Sequence, residues 1–480
     1  MRLSQNVTCR SPASCKACPG IHAPAGDDTQ SRSARSLTEM CFLPVVRQMT
    51  GIIIKTRPAL WQASVSDSAG KQGGPLGKCG EYGDPRAGAS AAMEKRGKTV
   101  MKHKIINGLV FQEEGSFNPQ TVYMLDERIV TEATYLDASG AETVTDAAGD
   151  YVIPGLTDIH FHGCMGSDCC DGTAEAFRTI AAYELSRGVT SITPATMTMP
   201  EDVLAKICRC ARDHFYPEGA DLCGLYLEGP FISAAKKGAQ NEKYIRPADA
   251  EMLRRLQDAS GGMIRTVAIA PETAGALEFI RACSADVRIS LAHSTADYET
   301  AREAFACGAT QLTHMYNAMM PLSHRAPGPI GAAADDSRCM VELICDGVHV
   351  HPAMVRTSFK IFGDDRIIFI SDSMRAAGLR DGQYDLGGQT VRVRGNMAVL
   401  EDGTIAGSVT NLMDCLRAAV QIMKIPLASA VKCAAVNPAK AADIYGEYGS
   451  LTPGKYANIV ILDRDLKLKA VLHRSVPVAL

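Results

Sequence analysis

The sequence predicts an α/β protein: a TIM-type (β/α)8 barrel with a small β-sandwich domain formed by both ends of the folded chain. Three observations carry this. Between residues 154 and 448, short apolar runs alternate with helical stretches at a spacing that fits eight β/α units. Turn-separated β-like runs precede that stretch and return after it. Directly after several of the apolar runs stand His, Glu and Asp residues, at the strand ends where such a barrel carries its active site.

Residues 1–100 stand apart. They hold the single tryptophan, Trp61, and five of the 17 cysteines, with much Ser, Gly and Pro and little periodicity. With 14 Lys and Arg against 7 Asp and Glu they carry +7, leaving −10 on the remaining 380 residues. Cys15 and Cys18, beside Cys9 and His22, have the spacing of half a zinc site, but no second pair follows at a fitting distance. The segment reads as a disordered or non-native N-terminal extension. Met101-Lys102-His103-Lys104-Ile105-Ile106-Asn107-Gly108 reads as the natural start of the folded chain.

Lys104–Phe111, Thr121–Val130 and Glu142–Ala147 are short β-like runs between turn residues, and similar runs return at Ala457–Leu462 and Lys467–His473. Residues 101–153 plus 449–480 are therefore expected to form one small β domain. Residues 154–448 are expected to form the barrel. Its strands should end near Asp158, Pro194, Leu227, Ala270, Ala292, Thr313, Cys345 and Ser371. Helices are predicted between most of them, including Ala174–Ser186, Ala248–Gln257, Ala296–Ala306 and Pro352–Phe362. Turns and alternating apolar residues mark a β excursion at 382–403. Helices resume at Asn411–Met423, Leu427–Ala435 and Pro438–Ile444.

Composition excludes several functions. A chain with 46% hydrophobic and 21% charged residues is an ordinary globular protein. A net charge of −3 without a basic stripe argues against a nucleic-acid partner. No apolar stretch has the length of a membrane span, and the first residues lack a signal-peptide pattern. A cytoplasmic protein with reduced thiols is expected, since the cysteines beyond Met101 are irregularly spaced and mostly sit inside apolar runs. Cys164, Cys169 and Cys170 lie just past His160 and His162 but are not needed by a chain that supplies better-placed metal donors.

The chemistry starts at Asp158-Ile159-His160-Phe161-His162. Residues two apart in a strand point to one side, so His160 and His162 can aim two imidazoles at one point. Glu228 follows Leu225-Tyr226-Leu227, His293 follows Ile289-Ser290-Leu291-Ala292, and His314 follows Gln311-Leu312-Thr313. Asp372 follows Ile367-Ile368-Phe369-Ile370-Ser371. Six metal-competent side chains thus end five strands at one rim. A divalent ion there would lower the pKa of its water towards ~7. Glu228 could bridge two ions through its two oxygens, and Asp372 could take a proton from water and return it to a leaving amine.

The order and spacing of these stretches resemble the N-acetylglucosamine-6-phosphate deacetylases, a family within the amidohydrolase superfamily. The matching runs include Pro154–Gly163, Leu227–Phe231, Leu291–Ser294, Thr313–Met319, Asp346–His349, Ser371–Met374, Gly403–Ser408 and Leu451–Asn458. The resemblance extends from about Met101 to Arg474. It implies that Glu228, His293 and His314 bind a principal metal, and that His160 and His162 with Glu228 and Asp372 hold a second. One or two divalent ions per subunit, zinc or iron, follow from it. It also implies that Asn317 and Ala318 contact the sugar phosphate, that Arg325 and His349 grip its 6-phosphate within or across a homodimer, and that Ile405, Ala406 and Gly407 line the sugar pocket. Ala239 and Gln240 complete that substrate set. Some members carry histidine where this chain has Gln240, so an uncharged amide stands at a position that could donate to the acetamide oxygen.

The activity implied is metal-dependent hydrolysis of the acetamide of N-acetyl-D-glucosamine 6-phosphate to D-glucosamine 6-phosphate and acetate. The galactosamine epimer is an alternative substrate. Cyclic-amide hydrolases of the superfamily usually bridge two metals with a modified lysine, and here Glu228 takes that place. A non-catalytic sugar-phosphate sensor would have lost a ligand or Asp372.

Overall fold

The computed structural model describes residues 100–479. The expectations stated for the preceding segment lie outside the described residues. The described chain is a (β/α)8 barrel joined to a small β domain.

Both ends of the described chain meet in one hydrogen-bonded sheet of eight strands. Tyr151–Pro154 pairs antiparallel with Ile459–Leu462, which links the N-terminal strands to Leu468–His473 and Val476–Pro477. The long strand Lys102–Gln112 pairs in parallel with Glu142–Asp146 along its first half and with Tyr151–Pro154 along its second. The sheet therefore forks at the bulge between Ile105 and Gly108, and its buried side encloses Ile105, Val122, Met124, Val152 and Ile459. The expected single run Thr121–Val130 is two strands, Ser116–Leu125 and Arg128–Val130. Asp126 adopts φ 49° in a two-residue hairpin turn, a conformation that Asp tolerates better than most residues.

The barrel strands are Leu156–Asp158, Val189–Ile192, Leu225–Leu227, Ile264–Ile269, Arg288–Leu291, Gln311–Leu312, Met340–Ile344 and Ile367–Ile370. Each consecutive pair is parallel, and most of these strand residues are buried, as expected for strands covered on both faces. The second strand stops before Pro194, which lacks an N–H, and resumes at Ala195–Thr196 to pair with the third. First and last strands close the barrel just past their ends. There Asp372 N–H donates to His160 O at 3.0 Å, and His162 N–H donates to Ser373 O at 2.7 Å.

The helices start where side chains can accept the free N–H groups. Thr173 caps Ala174–Ser186, Asp249 caps Ala250–Ser260 and Asp297 caps Tyr298–Cys307. The separate helices expected at Leu427–Ala435 and Pro438–Ile444 run together: Leu427–Val431 and Asn437–Ala441 are joined by a π turn over Lys432–Val436. Pro438 cannot donate to the turn before it, which accounts for the break in the α pattern. Asn437 Nδ2 instead donates to the carbonyls of Asp364 and Ile367, both at 2.7 Å. The β excursion is a three-stranded antiparallel sheet, Gly382–Leu386, Gln389–Arg394 and Met397–Val399, which packs Leu386, Val391 and Ala398 against Met197 and Met374.

Candidate active site

Strand ends deliver the six donors to one place. His160 and His162 leave the first strand, Glu228 the third, His293 the fifth, His314 the sixth and Asp372 the eighth. His293, His314 and Asp372 have φ of 44°, 27° and 48°, so each main chain turns sharply as it leaves its strand. All six side chains are buried, and they fall into two groups whose ligand atoms lie within 4.8 Å of one another: His160, His162 and Asp372; and Glu228, His293 and His314.

Glu228 is the hub. Its Oε1 lies 3.0 Å from His293 Nε2, 3.1 Å from His314 Nε2 and 3.6 Å from His160 Nε2. Its Oε2 lies 3.3 Å from His162 Nε2, which is also 3.3 Å from Asp372 Oδ1. The far nitrogens are held from behind. His293 Nδ1 meets the Lys236 carbonyl at 2.9 Å and His162 Nδ1 the Ala195 carbonyl at 3.3 Å. A carbonyl can only accept, so Nδ1 carries the proton in both and Nε2 presents its lone pair to the site.

The donor chemistry fits a divalent cation. Burial alone would push the Glu228 carboxyl up, but the surrounding imidazoles, His160 foremost, hold it well below the usual carboxylate range. Burial likewise opposes ionisation of Asp372, and the His162 imidazole beside it brings it below its ordinary value. Burial lowers His160, yet the Glu342 and Glu228 carboxylates raise it well above the usual imidazole range. The carboxylates thus draw positive charge into a buried site. A cation supplies that charge while leaving the imidazoles neutral, the form in which they ligate. His160 Nε2, buried and with no hydrogen-bond partner among the described residues, is the atom this reading requires.

The sequence pattern that defines the Amidohydrolase family matches residues 151–476. The chain belongs to the amidohydrolase family. The amidohydrolase is 37% identical over 334 residues to the N-acetylglucosamine-6-phosphate deacetylase of Bacillus subtilis (strain 168), covering 68% of this chain and 84% of that protein. It is 36% identical over 335 residues to the N-acetylgalactosamine-6-phosphate deacetylase of Escherichia coli O157:H7, covering 68% of this chain and 88% of that one. Among solved structures it is similar to a mutant N-acetyl-D-glucosamine-6-phosphate deacetylase from Mycobacterium smegmatis in complex with N-acetyl-D-glucosamine-6-phosphate. That pair has a TM-score of 0.72 and 32% identity over 80% of this chain and 100% of that one.

In the amidohydrolase the donors open into a cavity of about 370 Å³, within the range of small-molecule sites. Ala239, Gln240, Asn317, Ala318, His349, Ile405 and Gly407 line it beside His162, Glu228, His293, His314 and Asp372. Ala406, fully buried, instead packs its side chain among Met197, Met374 and Leu386. Arg325 is exposed and is not among the lining residues. His349 is paired with Asp346 at 2.7 Å; burial pulls its pKa down, but the Asp346 carboxylate raises it above the ordinary value.

Two supporting side chains change the picture drawn from sequence. Gln240 Nε2 donates to Glu228 Oε2 at 2.8 Å, and its Oε1 accepts from Thr198 N–H at 2.7 Å. It therefore steadies the Glu228 carboxylate. Glu342, absent from the sequence expectations, lies under the site and accepts from His160 Nδ1 at 2.8 Å. Its signal was available: a charged residue inside the apolar strand Met-Val-Glu-Leu-Ile is costly unless paired. Lys236 and Thr404 also line the cavity and were not singled out.

Proposed function

We propose that this amidohydrolase removes the acetyl group of N-acetyl-D-glucosamine 6-phosphate, giving D-glucosamine 6-phosphate and acetate. The observation that carries this is the two donor groups that meet where Glu228 approaches His160 and His162, with Asp372 on the wall of a cavity of small-molecule size. Sequence identity of 37% to a deacetylase of that specificity supports the substrate. A divalent ion, zinc or iron and one or two per subunit, would supply Lewis acidity towards the acetamide oxygen and acidify water.

The chain's own residues do the rest. Asp372, ionised beside His162, accepts the proton of the water that attacks the acetamide carbon. As the carbon–nitrogen bond breaks, the same carboxyl returns that proton to the departing amine. His349, drawn towards its charged form by Asp346, suits a phosphate oxygen. The exposed Arg325 would serve the 6-phosphate from a partner subunit in a homodimer, since it stands outside the cavity of its own chain. Asn317, Ala318, Ala239, Ile405 and Gly407 would bound the sugar. A reducing, cytoplasmic setting is supported by the irregular spacing of the cysteines beyond Met101.

The galactosamine epimer is a second reading with its own support, the relative at 36% identity that acts on it. The deciding measurement is release of acetate and free amine from each epimer by the full chain and by Asp372→Asn, with bound metal quantified. Turnover of the gluco epimer, reduced about 10²–10⁴-fold in the variant at unchanged metal content, is the expected result. Metal-loaded protein that leaves both epimers intact would overturn the proposal.

A further inference from the structure

We propose that Glu342 is a positioning residue that prepares His160 to hold the second of the two metals, and so decides whether the site works with one ion or two. The inference rests on the metal reading above and deepens it.

Glu342 sits at the centre of the strand Met340–Ile344. Its carboxylate is wholly buried and meets three donors. Oε2 lies 2.8 Å from His160 Nδ1 and accepts the main-chain N–H of His314 at 3.1 Å, while Oε1 accepts from Gln311 Nε2 at 2.5 Å. With the Gln311 amide and the His314 N–H already donating to it, this carboxylate acts as an acceptor, so the proton of the His160 ring resides on Nδ1. The lone pair is thereby placed on Nε2, on the opposite edge of the ring, where it faces Glu228 Oε1 at 3.6 Å with no hydrogen-bond partner among the described residues. Stacking of the ring on Tyr226, with centroids 4.4 Å apart, limits its tilt.

His160 differs from its neighbours in this support. His162 and His293 are held by main-chain carbonyls, neutral acceptors that any residue at Ala195 or Lys236 would supply. A carboxylate behind an imidazole orients it and also makes its other nitrogen a stronger donor. Of the four clustered histidines, only His160 receives this treatment from a side chain that mutation can remove. The same oxygen that holds His160, in one donor group, also holds the N–H of His314, in the other. Glu342 therefore sets the spacing of the two groups as well as the ring of one.

Cobalt(II) is the probe, titrated into metal-free full-length protein, with its visible absorption reporting each ion's ligand field and chelator competition reporting each affinity. Wild-type protein should bind two ions per chain. Glu342→Leu should keep the ion held by Glu228, His293 and His314 but bind the other about 10–100-fold more weakly. Glu342→Gln, whose amide oxygen can still accept from Nδ1, should recover part of that loss and part of the two-ion spectrum. Retention of both ions at wild-type affinity in either variant would overturn the proposal. Equal weakening of both ions would also overturn it, because that is the mark of a general packing defect. Should Glu342→Leu not fold, Glu342→Gln carries the test alone, and a weaker second ion is required of it. A wild-type chain that takes up no second ion would sink the two-metal reading itself, and that control is read before any variant.

Discussion

Gln240→Leu tests whether this amide steadies the Glu228 carboxylate. Leucine is of similar bulk and replaces both polar ends of a side chain only 3% exposed. The bond from Nε2 to the ionised Glu228, 2.8 Å long, is of the kind that contributes about 1.5–3 kcal/mol. Removing Oε1 leaves the Thr198 N–H, which it meets at 2.7 Å, buried without that acceptor at a cost of about 1–3 kcal/mol. Better burial of the apolar side chain offsets about 1 kcal/mol. The net destabilisation is then roughly 1.5–5 kcal/mol. Urea unfolding of metal-free protein, followed by far-ultraviolet circular dichroism, should show a lower midpoint at unchanged slope. A change below about 0.5 kcal/mol, as for an inert surface substitution, would refute the reasoning. Metal-loaded Gln240→Leu should also release its ions more readily, because Glu228 Oε2 loses its anchor.

Two further substitutions probe the surroundings. Gly407 has φ +63°, and a Cβ there would stand 3.1 Å from Asp372 O and 3.3 Å from Met374 Cβ. Gly407→Ala should cost about 1 kcal/mol in backbone strain and lower kcat by displacing Asp372; calorimetry and saturating-substrate rates read the two effects, and an unchanged kcat would count against the contact. Glu184 is wholly buried with neither carboxyl oxygen hydrogen-bonded, and burial, then the charge of Asp158, raises its pKa well above the ordinary value. The folded chain then keeps a proton that the unfolded chain releases, so this group makes stability fall as pH rises from the unfolded value towards the folded one. Glu184→Met should flatten that fall in a Tm series from pH 4 to 8, and parallel wild-type and variant curves would show that the proton is not linked to folding.

The donor set was legible because each of its members ends an apolar run, and a barrel brings all such ends to one rim. His160, Glu228, His293, His314 and Asp372 needed no tertiary contact to be found. Glu342 was hidden by the opposite circumstance: it lies within a strand, where pattern reading looks for side chains to bury. Gln240 was visible as a departure from histidine, but its partners, Glu228 and Thr198, come from other loops, and no local signal pairs them. The helix Glu201–Arg212 begins at Pro200 without a side-chain cap, which removes the usual start signal, although Leu204, Ile207, Cys208 and Ala211 form its buried stripe. The fusion of the two C-terminal helices depends on Asn437 reaching carbonyls about 70 residues away in sequence, which periodicity cannot register.

The left-handed backbone at His293, His314 and Asp372 has a consequence for how this protein can be changed. Side chains with a Cβ resist that conformation by about 1–2 kcal/mol each, whereas glycine accepts it freely. Selection for heat resistance alone would favour glycine at the three positions, and each gain would delete one of the six side chains clustered at the site. Robustness and chemistry therefore pull these sites in opposite directions. Stabilising changes compatible with turnover must come from elsewhere, such as the far end of the barrel or the small sheet.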